Sequence, residues 1–484
     1  MAVTQTQPVG FRSERGQVLI ALMLATGLVA IDSTVIATAI PTVVGDLGGF
    51  AQFPWLFSVY LLAQAVTVPI YGKLADLFGR KPVILLGIAL FLLGSILCGF
   101  AWSMLALIIF RMVQGLGAGA IQPMTITIAG DLYTLAERGK VHGYLASVWG
   151  VSAVVGPSIG GLFSEYLNWR WIFFINVPLC LVAAATLIRS LRERVARGRP
   201  RLDYLGAGLL ATGCTLLILG LLEGGVAWAW SSVTGVVVLA AGGVLLIAFV
   251  LVERRTAEPV LPLWVFRRRI LVMSSLVSLA VGAVLLGLTS YVPTFVQNVV
   301  GTGPLVAGFA LAALTVGWPI TAAQSSKLYL RIGFRATGLI GCVVTVAGSV
   351  LMVLLGEQTN VAMVGIACFI VGAGLGLVAS PTVIAAQATV GWSERGVVTA
   401  NNMFSRSIGS ALGVAVFGAI ANAALAGTHT APAIARASHH VFIGVAVAAV
   451  LMAVAMSALP RLNLEPAAAP APVPVPDPLA AAAD

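Results

Sequence analysis

GKLADLFGRK, residues 72 to 81, sets Asp76 among Lys73, Arg80 and Lys81 between two apolar stretches that are each long enough to cross a bilayer. A segment so polar cannot itself be a span. It reads as a short loop joining two helices, with Gly72 and Gly79 allowing a tight turn. A charge run of this kind is ordinarily a solvated surface turn, and it is the apolar flanks that give this one weight.

Those flanks are typical of the chain. Of its 484 residues 59% are hydrophobic and 9% charged, and mean hydropathy is +1.03. That exceeds what a water-soluble domain needs to fill its core, so the class expected is an all-α polytopic membrane protein. Apolar runs recur fourteen times, from residues 17 to 41 through to 440 to 459. At a rise of 1.5 Å per residue each covers about 30 Å of hydrocarbon. The polar start, MAVTQTQPVGFRSERGQ, enters the first run without a small-residue cleavage site, so that helix is expected to be retained. Cys98, Cys180, Cys214, Cys342 and Cys368 lie inside apolar runs without CxxC spacing, which argues against a disulfide framework or a zinc site. No GxxxxGK[ST] pattern, catalytic triad or metal cluster is present, so neither an enzyme nor an ATP-driven machine is expected, and no cofactor. His429, His439 and His440 lack metal-ligand spacing.

The net charge of +10 is spread over short loops, which favours a topological explanation over nucleic-acid binding. With the 72 to 81 segment placed in the cytoplasm, all 27 Lys and Arg residues fall on that side except Arg170 and Arg436 outside and Arg111 and Arg406 within helices. Both termini are then cytoplasmic. Trp55, Trp102, Trp169, Trp171, Trp228 and Trp230 cluster at outer helix ends.

A repeat emerges when the loops are compared. SKLYLRIGFR at 326 to 335 echoes GKLADLFGRK at an offset of 254, and SERG at 393 to 396 echoes AERG at 136 to 139 at an offset of 257. The second copy has Leu330 where the first has Asp76. Two six-helix halves follow, at 17 to 190 and 270 to 460, separated by two inserted helices within 191 to 269. Residues 1 to 16 form an N-terminal tail, and the Pro- and Ala-rich 461 to 484 a disordered one.

Three helices carry unusual polar chemistry. The first, AIDSTVIATAIP at 30 to 41, holds Asp32 about nine residues, roughly 13 Å, below the outer end. An acid at that depth is expensive and calls for a wet cavity or a partner. The fourth, LIIFRMVQGLGAGA at 107 to 120, holds Arg111 at similar depth, so contact between the two is expected. The fifth, GYLASVWGVSAVVGPSIGG at 143 to 161, presents Gly143, Gly156, Gly160 and Gly161 for close helix approach and Pro157 for a kink.

These stretches resemble signatures of the major facilitator superfamily. The decapeptide is similar to its helix 2 to helix 3 pattern, Gly-x-Leu-Ala-Asp-Arg-x-Gly-Arg-Lys, with Leu77 in place of a basic residue. The helix 1 stretch resembles the Leu-Asp-x-Thr-Val-Val-Asn-Val-Ala-Leu-Pro motif of the fourteen-helix drug:proton antiporters, with Ala37 in place of Asn. The helix 4 run resembles Leu-x3-Arg-x2-Gln-Gly-x-Gly-Ala. The helix 5 run resembles the antiporter motif Gly-x8-Gly-x3-Gly-Pro-x2-Gly-Gly, with Ser152 at its second Gly, and NWRWIFFINVP at 168 to 178 resembles the same branch.

The resemblance implies a major facilitator fold and proton-coupled export of bulky hydrophobic compounds, cationic drugs among them, by alternating access. Asp32 and Arg111 would couple the proton, and Gly72, Asp76, Gly79, Arg80 and Lys81 would form a conformational switch. Gln64, Trp149, Tyr291, Trp318 and Arg406 are candidates for the substrate cavity, Trp149 and Arg406 being equivalent under the 257 offset. Glu223, near the outer end of the seventh helix, is read as solvated at the interface. The expected partners are an amphipathic small molecule, protons and the bilayer, for a monomer in a bacterial cell membrane. Export of a native lipid, siderophore or metabolite is the alternative, and a non-transporting membrane sensor a more distant one.

Overall fold

The computed structural model describes residues 10 to 462, apart from 12, 14, 49–51, 53–54, 192, 194–202, 225–227, 257, 357–358 and 426–429. The expected disordered tail lies, from residue 463, outside the described residues, as do residues 1 to 9 and His429. Among the described residues there are fourteen helices long and apolar enough to cross a membrane. They are α1 (Gly16–Leu47), α2 (Trp55–Phe78), α3 (Arg80–Gly99), α4 (Met104–Leu132), α5 (Leu135–Tyr166), α6 (Trp171–Ser190) and α7 (Tyr204–Glu223). They continue with α8 (Val233–Glu253), α9 (Arg269–Asn298), α10 (Pro304–Ile332), α11 (Phe334–Val353), α12 (Val361–Ala388), α13 (Arg395–Leu425) and α14 (Ala431–Ser457).

Local chemistry starts several of these helices where the sequence changes from polar to apolar. Ser103, Asp203, Ser232 and Asn360 each accept a hydrogen bond from a backbone N–H of the first turn. At α5 a capping box forms, with Thr134 and Glu137 satisfying each other's backbone donors. In a low-dielectric surround such unpaired donors would be costly, so the caps fix where each helix leaves the membrane interface.

The 72 to 81 segment corrects the loop expected from its charge. Residues 72 to 78 are the last two turns of α2, Arg80 already begins α3, and Gly79 alone joins them. Gly79 has φ 95°, in the left-handed region where a side chain is strained. Gly333 repeats this between α10 and α11 with φ 84°. Gly72 serves close approach rather than a turn: a Cβ there would lie 2.4 Å from Ala400 Cβ and 2.8 Å from the Gly396 carbonyl. Beside α13 there is no room for a larger side chain.

Helices α1 to α6 pack around two apolar clusters, while α9 to α14 share a third that extends to α7 and to one face of α2. The two groups of six meet along two seams, α2 against α13 and α5 against α10. Helices α7 and α8 pack on each other, and α7 also touches both α2 and α13.

Candidate functional site

Asp32 and Arg111 come together inside the first six helices. Arg111 Nη1 donates to Asp32 Oδ2 at 2.6 Å, and the two side chains are 1% and 2% exposed for Arg111 and Asp32. Three uncharged residues complete the shell. Gln114 Nε2 donates to Asp32 Oδ1 at 2.7 Å and to Ser95 Oγ at 2.8 Å, while its Oε1 accepts from Arg111 at 2.7 Å. Asn176 Nδ2 reaches both Asp32 Oδ1, at 3.3 Å, and Ser95 Oγ, at 3.2 Å. Arg111 Nε donates to the Leu56 carbonyl, and the guanidinium lies 4.1 Å from the centre of the Tyr60 ring. Five helices contribute, α1, α2, α3, α4 and α6, so the site is an ion pair buried in one half rather than an acid lining a wet channel. The described hydrogen bonds of the Asp32 carboxyl group come from Arg111, Gln114 and Asn176.

The switch residues gather where α2, α4 and α13 end, on the side richest in basic residues, called the basic end from here on. Asp76 accepts from Gly396 N at 2.9 Å and Val397 N at 2.8 Å, so a carboxylate sits on the first turn of α13. Arg80, 1% exposed, pairs with Asp76 and Asp131, each at 3.0 Å, and stacks 3.7 Å from the Trp392 ring centre while donating to the Trp392 carbonyl. Asp131 in turn pairs with Arg395 at 2.9 Å. Lys81 turns the other way, to the carbonyls of Ile188 and Leu191 at the end of α6, and Glu193 accepts from the backbone N–H of Arg80 and Lys81.

At the second seam Tyr329 donates its hydroxyl to the Leu135 carbonyl. A Cβ on Gly143 would lie 2.4 Å from that of Ala323. Among the described residues, the hydrogen bonds joining the two halves all lie towards the basic end.

The helix-5 motif divides. Gly143 faces α10, whereas a Cβ on Gly156 would meet Thr34 Oγ1 at 2.0 Å, and Thr34 donates to the Ser152 carbonyl at 3.0 Å, drawing α5 onto α1. Gly160 is buried and Gly161 has open space beside it. Helix α5 continues as one helix through Pro157, whose side chain is outside the described set. Gln64, Trp149, Tyr291, Trp318 and Arg406 are all half-buried, and no hydrogen bond joins one to another among the described residues. Glu223, the last residue of α7, is buried, at 8% exposure, against the expectation of a solvated carboxylate.

Sequence reasoning passed over Gln114, Ser95, Asn176, Asp131, Trp392 and Arg395. The signals were present in part: Gln114 stands three residues, one turn, after Arg111, and Arg395 lies in the SERG repeat.

A family model described as Major Facilitator Superfamily matches residues 22 to 414. The chain belongs to that superfamily. It is accordingly a multi-pass membrane transporter and not an enzyme. The superfamily member "Multidrug transporter protein MdtP" of Bacillus subtilis (strain 168) is 35% identical over 416 residues, covering 86% of this chain and 76% of the relative. "Multidrug resistance protein 3" of the same organism is 34% identical, covering 83% and 79%. Among solved structures, the proton:xylose symporter XylE matches with a TM-score of 0.63 at 12% identity, over 92% of this chain and 96% of that one. The human organic anion transporter MFSD10 matches with a TM-score of 0.66 at 15% identity, over 93% and 100%. At such identities these two establish the fold alone.

Proposed function

We propose that this facilitator exports bulky, largely apolar small molecules from the cell in exchange for protons. The names of its relatives support drug efflux, and the sealed Asp32–Arg111 pair carries the proton coupling. The concentration of Lys and Arg supports a cytoplasmic basic end and, with it, cytoplasmic termini in this reading. The halves are then bonded together on the cytoplasmic side, which corresponds to an outward-facing state.

In this state the Asp32 carboxyl group accepts hydrogen bonds from Arg111, Gln114 and Asn176. Loading a proton removes the charge that Arg111 answers and leaves the guanidinium to find other acceptors, Gln114 Oε1 and the Leu56 carbonyl being already in reach. That rearrangement moves α1 relative to α4 and links protonation to the packing of the first half. The groups that would bind and release the proton are all side chains of this chain, so no cofactor is required, and one chain carries the complete set.

The test is transport in inside-out vesicles with and without a pH gradient. Asp32→Asn should insert normally, still bind substrate, and lose gradient-driven efflux. Gradient-driven efflux at the unmodified rate in that variant would remove Asp32 from the mechanism.

A further inference from the structure

Buried cations in this chain have partners. Arg111 has Asp32, Arg80 has Asp76 and Asp131, and Arg138 donates to the carbonyls of Gly130 and Tyr133. Arg406, in the middle of α13, is different: among the described residues it makes no hydrogen bond, ion pair or ring contact. It lies deep within the protein, yet its side chain is only half-buried, so it reaches an internal space. An unpaired guanidinium at membrane depth is costly unless that space supplies water or an anion.

The packing of α13 places that space. On one side a Cβ on Gly282 of α9 would meet the Arg406 carbonyl, Ser410 donates to the Gly282 carbonyl at 3.2 Å, and Ser278 donates to Asn402 at 2.6 Å. On another side, Ala400 meets Gly72 of α2. Helix α13 thus packs on α9 of its own half and on α2 of the other, and Arg406 stands on a helix that borders the first half. Its repeat equivalent, Trp149, is half-buried on α5, the helix that forms the other seam. Of the described acids on the spans, Asp32 is sealed behind Arg111, Asp46 pairs with Arg170, Glu137 pairs with Arg15, Glu253 accepts from Leu261 N, Asp76 and Asp131 are committed at the basic end, and Glu165 and Glu223 lie at the ends of α5 and α7. The free charge between the halves is positive.

We propose that Arg406 anchors the anionic head of the substrate, so that the preferred cargo is an amphipathic molecule with a carboxylate or similar oxyanion on an apolar body. The planar guanidinium can grip such a head with two parallel hydrogen bonds, and it repels a cation of the same shape. This deepens the efflux reading and rests on it for the word cargo.

Binding to the purified full-length protein in zwitterionic nanodiscs tests it, with empty nanodiscs subtracted. Laurate, dodecyltrimethylammonium and uncharged dodecanol, each below its micellar concentration, share one alkyl chain and differ in head charge. Quenching of tryptophan fluorescence reports occupancy. Laurate should bind at least about tenfold more tightly than the cation. Arg406→Gln should bring laurate down to the dodecanol level, Arg406→Lys should keep part of the preference, and Arg406→Glu should reverse it. The ratio of two ligands within one variant is insensitive to partial loss of folded protein, and Arg406→Gln decides the matter if the Glu variant fails to fold. Equal binding of the two ions, tighter binding of the cation, or an unchanged ratio in Arg406→Gln overturns the proposal. Binding needs no pH gradient, so Asp32→Asn should retain the laurate preference. Absence of gradient-driven efflux by the unmodified protein, with the preference intact, counts against the efflux reading alone, and gradient-driven efflux without the preference counts against this inference alone.

Discussion

The two halves share a hinge and differ in what they built around it. In the first, Gly79 turns the chain, Asp76 sits on the N-terminus of α13, and Arg80 ties that contact to Asp131 and Trp392. In the second, Gly333 makes the same turn, but Leu330 is exposed where the acid would be, and Phe334, in the place of Arg80, stacks on Tyr329 at 4.5 Å. One seam is thus closed by charges and the other by small residues in close approach and a hydroxyl bond from Tyr329 to Leu135. Charges released from a seam regain water, whereas apolar surface does not, so the α2–α13 seam is the one suited to repeated opening. The same imbalance holds at membrane depth, where the first half has a complete ion pair and the second an arginine without one.

The sharpest way to break the contrast is to unpair the first half. Arg111→Ala leaves Asp32 buried without its cation, which should cost about 3–5 kcal/mol of stability and abolish coupled efflux. Thermal unfolding in detergent and vesicle transport read the two effects separately, and Arg111→Lys should recover part of both. A smaller change is expected from Asp76→Asn, which removes the charge from the contacts with Gly396 and Val397, worth about 1–3 kcal/mol. Distances between spin labels on the two halves at the basic end should broaden toward longer values. Distributions that overlay those of the unmodified protein would show that the charged seam does not set the closed population. Least of all should follow from Tyr329→Phe, which deletes one hydroxyl bond, about 1 kcal/mol, from a seam held mainly by packing. If that variant opened the basic end more than Asp76→Asn, the assignment of roles to the two seams would be reversed.

Fourteen helices were readable because hydrocarbon admits only long apolar segments with satisfied backbones, and each such segment announces itself in composition. The Asp32–Arg111 contact was readable for a related reason: two opposite charges at one depth have few other partners. Gln114, Ser95 and Asn176 were not, since uncharged polar residues occur throughout membrane helices and only the fold shows which ones converge. The decapeptide reads as a loop because it is too polar for a span and has glycine at 72 and 79. Gly72 serves a close approach to α13, a helix more than 300 residues further along the chain, which the local sequence does not show. Arg406 was legible as a charge at depth, but its lack of a partner belongs to the structure alone.

Helix α7 lies across the α2–α13 seam, with Leu210, Cys214 and Ile218 sharing a core with Leu62 and Val66 of α2. The protein therefore shows the lipid two unequal flanks. On the flank of the inserted helices a molecule dissolved in the bilayer meets α7 before it meets the α2–α13 seam.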